Sequence, residues 1–319
     1  MSYAVTWREY GEQGFTCYVG ENECLRVVVV PERGSRIVSL LDKRTGREWI
    51  HRTDRPWEPQ RYGMNWDDGD RGGWDEMFPT INPSPCPDVP WQAVLFPDHG
   101  EVWCIPWACR LEGERLHLEV EGVQVPYRLS KTIELRDHKL QIDYQLHNDS
   151  PYPFSYLWAA HPLLNIRPGM KLVTEPPEGM IQIAYSHGDR LGKQLDLASF
   201  PAAAAKGGET VDLSTLEGEI GAAEKYYFTA PLSEGYAGVS DPETGESLVF
   251  RFDPEETPYL AVWANYGGFN DYTFAVEPAS GYMDSVQEAH KRGKVKQVLG
   301  HDTNQWKLEV AMEPMQPPR

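Results

Sequence analysis

Leu140-Gln141-Ile142-Asp143-Tyr144-Gln145-Leu146 sets four apolar side chains on one side of an extended backbone and three polar ones on the other. That period of two marks a strand with one buried and one wet face. Upstream, Leu116, Leu118 and Val120 alternate in the same way with His117, Glu119 and Glu121, so Leu111 to Leu146 reads as a run of strands. Leu25 to Ile50 reads as strand, turn, strand, turn. Its turns are Pro31-Glu32-Arg33-Gly34 and Asp42-Lys43-Arg44-Thr45-Gly46, a spacing that predicts a β-meander. Further strands are predicted over Glu246 to Phe252, Tyr259 to Asn265, Tyr272 to Val276 and Gln305 to Met312. The only helix pattern is short, around Asp284 to Arg292, and is stopped by Gly293.

Composition agrees with a turn-rich all-β protein: 319 residues carry 28 Gly and 26 Pro, and 40% hydrophobic residues are enough for a large core. With 30 basic against 48 acidic side chains the net charge is −18. A surface this acidic repels polyphosphate, so neither nucleic acid nor anionic membrane is an expected partner. The N-terminus, Met1 to Tyr10, lacks a basic segment followed by an apolar one, and no apolar run approaches the roughly 18 residues of a spanning helix, so a cytoplasmic protein is expected. Five cysteines, an odd number without a C-x-x-C pair, read as reduced thiols rather than a disulfide framework or a zinc site.

Two segments interrupt the strand rhythm. Ser199 to Glu224, with four alanines from Ala202 to Ala205 and Gly207-Gly208, reads as a surface connection. Asp54 to Trp91 holds seven prolines and four tryptophans, too rigid for a linker and too aromatic for disorder. Long ordered loops on a β framework are where binding groups are commonly placed. Phosphate-loop, H-E-x-x-H, G-x-S-x-G and EF-hand patterns are missing, which removes the commonest motif-bearing enzymes.

What remains is three polar residues set in apolar or glycine-containing surroundings: His99 in Asp98-His99-Gly100, His161 in Ala160-His161-Pro162-Leu163-Leu164-Asn165, and Glu277 in Val276-Glu277-Pro278. A carboxylate inside an apolar strand is costly to desolvate unless it lines a cleft or has a partner. Read one at a time, each of the three also fits a satisfied polar residue at a strand end.

Taken together and in this order, the three motifs resemble those of the aldose 1-epimerase, or galactose mutarotase-like, superfamily. The frame around them is similar too: Gly34-Ser35-Arg36-Ile37 with Asp42, Gly73-Trp74-Asp75-Glu76-Met77-Phe78-Pro79, and Val262-Trp263-Ala264-Asn265. The likeness runs from about residue 25 to residue 310 and implies one domain over 1–319, a large antiparallel β-supersandwich with few short helices. It implies that His161 is the general acid at the sugar ring oxygen, Glu277 the general base at the anomeric hydroxyl, and His99 a sugar-positioning group. The chemistry is self-consistent, since opening a cyclic hemiacetal needs one proton removed from O1 and one delivered to O5, by an acid and a base on opposite sides of the ring. No metal or organic cofactor is required.

Arg71, Asp75, Trp74, Trp158 and Trp263 are further candidate sugar contacts, because they sit beside the motifs and an indole face can stack on a pyranose. The chain departs from many relatives after the second histidine, with Leu163-Leu164 in place of aromatics, and after the first, with Glu101 and Trp103 in place of an arginine. The acidic residue that often orients a sugar hydroxyl is not located, so the identity of the sugar stays open. The expected partner is a small carbohydrate, in an oligomeric state the sequence does not define. Two other functions share these residues. One is a carbohydrate-binding or sensing protein without turnover; the other is a glycoside hydrolase or lyase using Asp75 and Glu277, which needs carboxyls about 5 to 10 Å apart.

Overall fold

A computed structural model describes residues 3–175 and 179–315. Met1 and Ser2 of the N-terminal reading, and the last four residues of the expected 1–319 span, lie outside the described residues. Among those described, the larger sheet has twelve strands: β1 (Thr6–Glu12), β2 (Phe15–Glu21), β3 (Leu25–Val30), β4 (Arg36–Asp42), β5 (Arg47–Glu48), β6 (Trp74–Met77), β7 (Ala159–Pro162), β8 (Gly179–Ser186), β9 (Leu197–Phe200), β10 (Ala222–Phe228), β11 (Tyr259–Tyr266) and β12 (Tyr272–Ala279). They lie in the order β1-β2-β3-β4-β6-β7-β12-β11-β10-β8-β9, with β5 beside β4. All neighbours are antiparallel.

An eight-stranded antiparallel sheet packs against it. Its central strand, Lys139–Asn148, carries the opening motif, and Leu140, Ile142, Tyr144 and Leu146 are all buried. The polar alternates of that strand sit on the outer face, as the period of two requires. Trp74 of β6 meets Phe250 of the second sheet with ring centroids 5.6 Å apart, and both sheets contribute to one core cluster. This is a β-supersandwich. The short helix α1, Val286–Lys291, begins after Ser285, whose hydroxyl accepts a hydrogen bond from the Glu288 N–H.

One expectation needs correction. Ser199 to Glu224 is more than a surface connection, because Ala202–Ala204 pairs with Thr210–Asp212 and residues 222–224 already belong to β10. Its alanines alternate: Ala203 and Ala205 are buried in the core while Ala202 and Ala204 face solvent. Small side chains let this hairpin lie close against the sheet.

In β10, β11 and β12 one set of alternate residues packs between the sheets: Tyr226, then Leu260 and Val262, then Phe274 and Val276. The other set points to the opposite, concave face, and there the side chains are polar, aromatic or small: Lys225, Trp263, Asn265, Thr273, Ala275 and Glu277. The functional groups belong to this second set.

Candidate active site on the concave face

Strand register builds the floor. His161 of β7 pairs with Asp75 of β6, and the β7–β12 pairing at Ala159 and Ala279 brings His161 alongside Glu277 two residues on. Glu277 in turn pairs with Ala261 of β11. His161 Nε2 lies 3.7 Å from Glu277 Oε1. The two residues line a cavity of about 470 Å³, together with His99, Trp66, Lys225 and Trp263.

Lys225, which the sequence reading missed, stands on β10 opposite Trp263 of β11. Its Nζ lies 3.1 Å from Glu277 Oε2 and 3.0 Å from Asp284 Oδ1. Tyr227 donates a 2.8 Å hydrogen bond to the same Asp284 oxygen. Neither carboxylate oxygen of Glu277 receives a well-aligned hydrogen bond, although the side chain is wholly buried. His161 Nδ1 is likewise buried without a partner among the described residues. Burial on this scale ordinarily comes with hydrogen bonds, so unpaired polar atoms facing a cavity mark a place for a ligand.

The charge states follow from these surroundings. Burial disfavours the imidazolium and, with the positive fields of His99, Lys225 and Arg36, holds His161 well below its ordinary value, so the free protein carries it neutral at pH 7. Burial raises the Glu277 carboxyl above the usual range, and Lys225 opposes that rise. Burial also penalises the Lys225 ammonium, yet Asp284 and Glu277 outweigh the penalty and keep it charged.

The first wall is aromatic. Trp66 stacks on His99 at 5.4 Å and 20°, and meets His161 edge-on at 5.2 Å. His99 has φ 56°, and the next residue must be glycine: a Cβ on Gly100, at φ 74°, would stand 2.0 Å from the Phe78 carbonyl oxygen. The His-Gly pair is therefore the geometry of a tight turn that presents the imidazole. Asp98 holds the His99 ring and the Trp66 main chain, with Oδ1 3.0 Å from His99 Nδ1 and Oδ2 accepting from the Trp66 backbone N–H at 2.8 Å.

The opposite wall holds Tyr185, Trp263 and Phe269, with ring centroids 5.7 to 6.2 Å apart. Arg71, at φ 59°, donates to the Phe269 carbonyl at 2.9 Å and so ties the Asp54 to Trp91 loop to the loop before β12. Asp271 stands on that second loop. Its Oδ1 accepts from the Tyr272 N–H at 2.9 Å and lies 2.9 Å from His51 Nε2. The tautomer of His51 can be deduced. Asn165 Nδ2 donates to the carbonyls of Glu48 and Ile50, which leaves its Oδ1 to accept from His51 Nδ1 at 3.2 Å. His51 Nε2 then faces a carboxylate, and two acceptors do not face each other, so the His51–Asp271 pair carries a proton between its members. Burial disfavours that charge, but Asp271 raises the imidazole above its ordinary value.

His99, His161, Glu277, Arg71 and Trp263 thus line one cavity. Trp74, Trp158 and Asp75 do not. Trp74 is adjacent to Asp75 on a strand and Trp158 is three residues from His161, so parity turns both indoles to the intersheet core. Trp158 donates to Glu76 at 2.9 Å and Trp74 packs on Phe250. Asp75 shares the concave face with His161, but Arg36 takes its carboxylate through Nε at 2.6 Å and Nη2 at 2.9 Å, and the Trp66 indole N–H donates to it at 2.9 Å. Covered in this way, Asp75 positions Trp66 and cannot serve as a hydrolytic partner of Glu277. Glu101 and Trp103 are also buried outside the cavity; Glu101 accepts from Tyr62 and Tyr127. Among the described residues no cluster of three or more His, Cys, Asp or Glu side chains is placed to hold a metal ion, the cysteines are unpaired, and no helix is long and apolar enough to cross a membrane.

No protein-family model matches the chain, and no curated protein matches it in sequence. Solved structures do match in fold. A galactose mutarotase-like protein from Lactobacillus casei ATCC 334 is 17% identical with a TM-score of 0.68, covering 93% of this chain and 100% of that one. A protein from Klebsiella pneumoniae, provisionally named an aldose 1-epimerase, is 14% identical with a TM-score of 0.70, covering 97% and 84%. An Escherichia coli K12 protein with the same provisional name is 14% identical with a TM-score of 0.66, covering 98% and 100%. The chain has the galactose mutarotase-like fold.

Proposed function

We propose that this protein interconverts the anomers of a free sugar by acid–base opening of its ring. The observation that carries the reading is the 3.7 Å approach of His161 Nε2 to Glu277 Oε1, with Lys225 Nζ against the other carboxylate oxygen, on the floor of a cavity lined by aromatic rings. O1 and O5 of a cyclic aldose are bonded to the same carbon. Two groups that serve them must therefore be neighbours at the C1 end, which corrects the expectation of an acid and a base separated by the ring.

In the step proposed, Glu277 takes the proton from O1 and His161 delivers one to O5. The C1–O5 bond breaks as the C1–O1 bond becomes a carbonyl. Rotation about C1–C2 presents the other carbonyl face, and the reverse transfers close the ring and restore both groups. The pair must hold one proton, resting on the imidazole when the sugar is bound. Burial opposes that arrangement by raising Glu277 and depressing His161, while the Lys225 ammonium favours the ionised carboxylate. Trp66 and His99 supply a face for the sugar ring, with Asp98 holding the imidazole and Asp75 the indole N–H.

The same pocket supports a second reading, sugar binding without turnover. It is favoured by one observation, the 3.1 Å ion pair between Lys225 and Glu277, which weakens the carboxylate as a base. Proton exchange spectroscopy at the anomeric position separates the two. Catalysis predicts interconversion faster than buffer for at least one aldose, and binding alone predicts line broadening or shifts with no added exchange.

A further inference from the structure

The floor of the cavity is longer than one sugar ring. Thr273 and Glu277 both line it, and four residues of strand separate their Cα atoms by about 13 Å at about 3.3 Å per residue. Asp271 lines it two residues further along. A pyranose with its hydroxyls spans only about 6 Å, from covalent bond lengths near 1.5 Å. If C1 of a sugar sits at Glu277 and His161, Trp263, opposite Ala275, stands at the edge of that ring, and the end of the cavity around Asn265, Thr273 and Asp271 lies beyond it.

This remote end is chemically equipped. Trp263, Phe269 and Tyr185 form a continuous aromatic wall. Asn265, only 4% exposed, uses Oδ1 to accept from the Phe269 N–H, and among the described residues its Nδ2 finds no acceptor. Thr273, 1% exposed, lines the cavity, and among the described residues its hydroxyl has no partner. On Asp271 the Oδ1 is committed to His51 and to the Tyr272 N–H, which leaves Oδ2 as a fixed acceptor with no partner among the described residues. An apolar face flanked by a donor and acceptors in set positions is how a protein holds the C–H face and the hydroxyl rim of a saccharide.

Building on the ring-opening reading above, we infer that this end is a second saccharide subsite and that the preferred ligand is a reducing disaccharide linked through O4 of its reducing ring. O4 lies across the pyranose from C1, so a 4-linked sugar places its second ring toward Trp263 when C1 faces Glu277. The second ring stacks on the indole and gives its hydroxyls to Asp271 Oδ2, Asn265 Nδ2 and Thr273.

The test uses glucose and galactose against maltose, cellobiose and lactose. Anomer interconversion is followed by exchange spectroscopy, and affinity is measured by calorimetry on the Glu277→Gln protein. The proposal expects kcat/KM for at least one disaccharide to exceed that for its reducing monosaccharide by about 10-fold or more. Trp263→Ala and Asp271→Asn should each reduce that ratio to near one. The calorimetric affinities should show the same preference and the same loss when either substitution is added to Glu277→Gln. Equal kcat/KM and equal affinity for the two sizes of sugar, or a preference that survives both substitutions, would overturn the subsite. If wild-type protein interconverts no anomers yet binds disaccharide more tightly than monosaccharide in a Trp263-dependent way, the subsite stands and the ring-opening reading fails.

Discussion

Nε2 of His161 and Oε1 of Glu277 stand 3.7 Å apart on adjacent antiparallel strands, and the Lys225 ammonium touches the far oxygen of the same carboxylate at 3.1 Å. A base, an acid and a fixed cation are therefore coupled in one buried cluster, and altering any member changes the proton affinity of the others.

Replacing Lys225 by methionine removes a positive charge that lowers the proton affinity of both Glu277 and His161. Both limbs of the pH–rate profile should move to higher pH, the values being properties of the coupled pair rather than of single residues. Profiles of kcat/KM for wild type and Lys225→Met measure this directly. Limbs that stay in place, or that move to lower pH, would show that the ammonium does not set the protonation of the pair.

The same substitution has a cost in stability. Lys225 is held between Glu277 and Asp284 in a site that is nearly closed to water, and breaking a buried ion cluster by removing one partner typically costs about 3–5 kcal/mol. Chemical denaturation of Lys225→Met should show a loss of that order at pH 7. Lowering the pH should recover part of it, because protonating a carboxyl removes the uncompensated charge.

His161 makes the native state sensitive to mild acid. Its proton affinity is depressed in the fold, so the stability gained by keeping it neutral is present above the unfolded value near about 6.5 and is lost as pH falls from there through the folded value. Wild type should therefore lose stability relative to His161→Gln as pH drops below about 6.5. Parallel denaturation curves at pH 7 and pH 5 give the comparison, and a difference independent of pH would contradict it.

Asp75 acts through Arg36 and Trp66 rather than on a ligand. Asp75→Asn should cost about 3–5 kcal/mol, since it leaves part of the buried Arg36 charge unmatched. A variant with wild-type stability and a raised KM alone would instead restore Asp75 to the sugar-binding set.

How much of this was legible in the sequence depends on whether one face of a strand is wet. Lys139–Asn148 was readable because Gln141, Asp143 and Gln145 face outward while Leu140 and Ile142 are buried. Ala222–Phe228 was not, because every residue in it is buried, one set between the sheets and the other toward the cavity. That missing strand hid Lys225, although the sequence Ala223-Glu224-Lys225-Tyr226-Tyr227 is rich in strand formers beside one lysine. His99, His161 and Glu277 were found through short motifs on one turn and two strands that meet only in the fold. The misplacement of Trp74 and Trp158 had an available remedy: both lie an odd number of residues from a concave-face residue, and odd separations along a strand face apart. Asp271 gave no sign, because the side chain it pairs with, His51, is far away in sequence.

The central claim is that His161 and Glu277 move protons at an anomeric centre, and anomer exchange measured on wild type, His161→Gln and Glu277→Gln across free aldoses and reducing disaccharides tests it most directly. The account predicts exchange faster than buffer for wild type, a fall of about 10²-fold or more in each variant, and sugar binding that changes far less than turnover. Wild-type exchange no faster than buffer for every sugar, or wild-type rates in both variants, would contradict it.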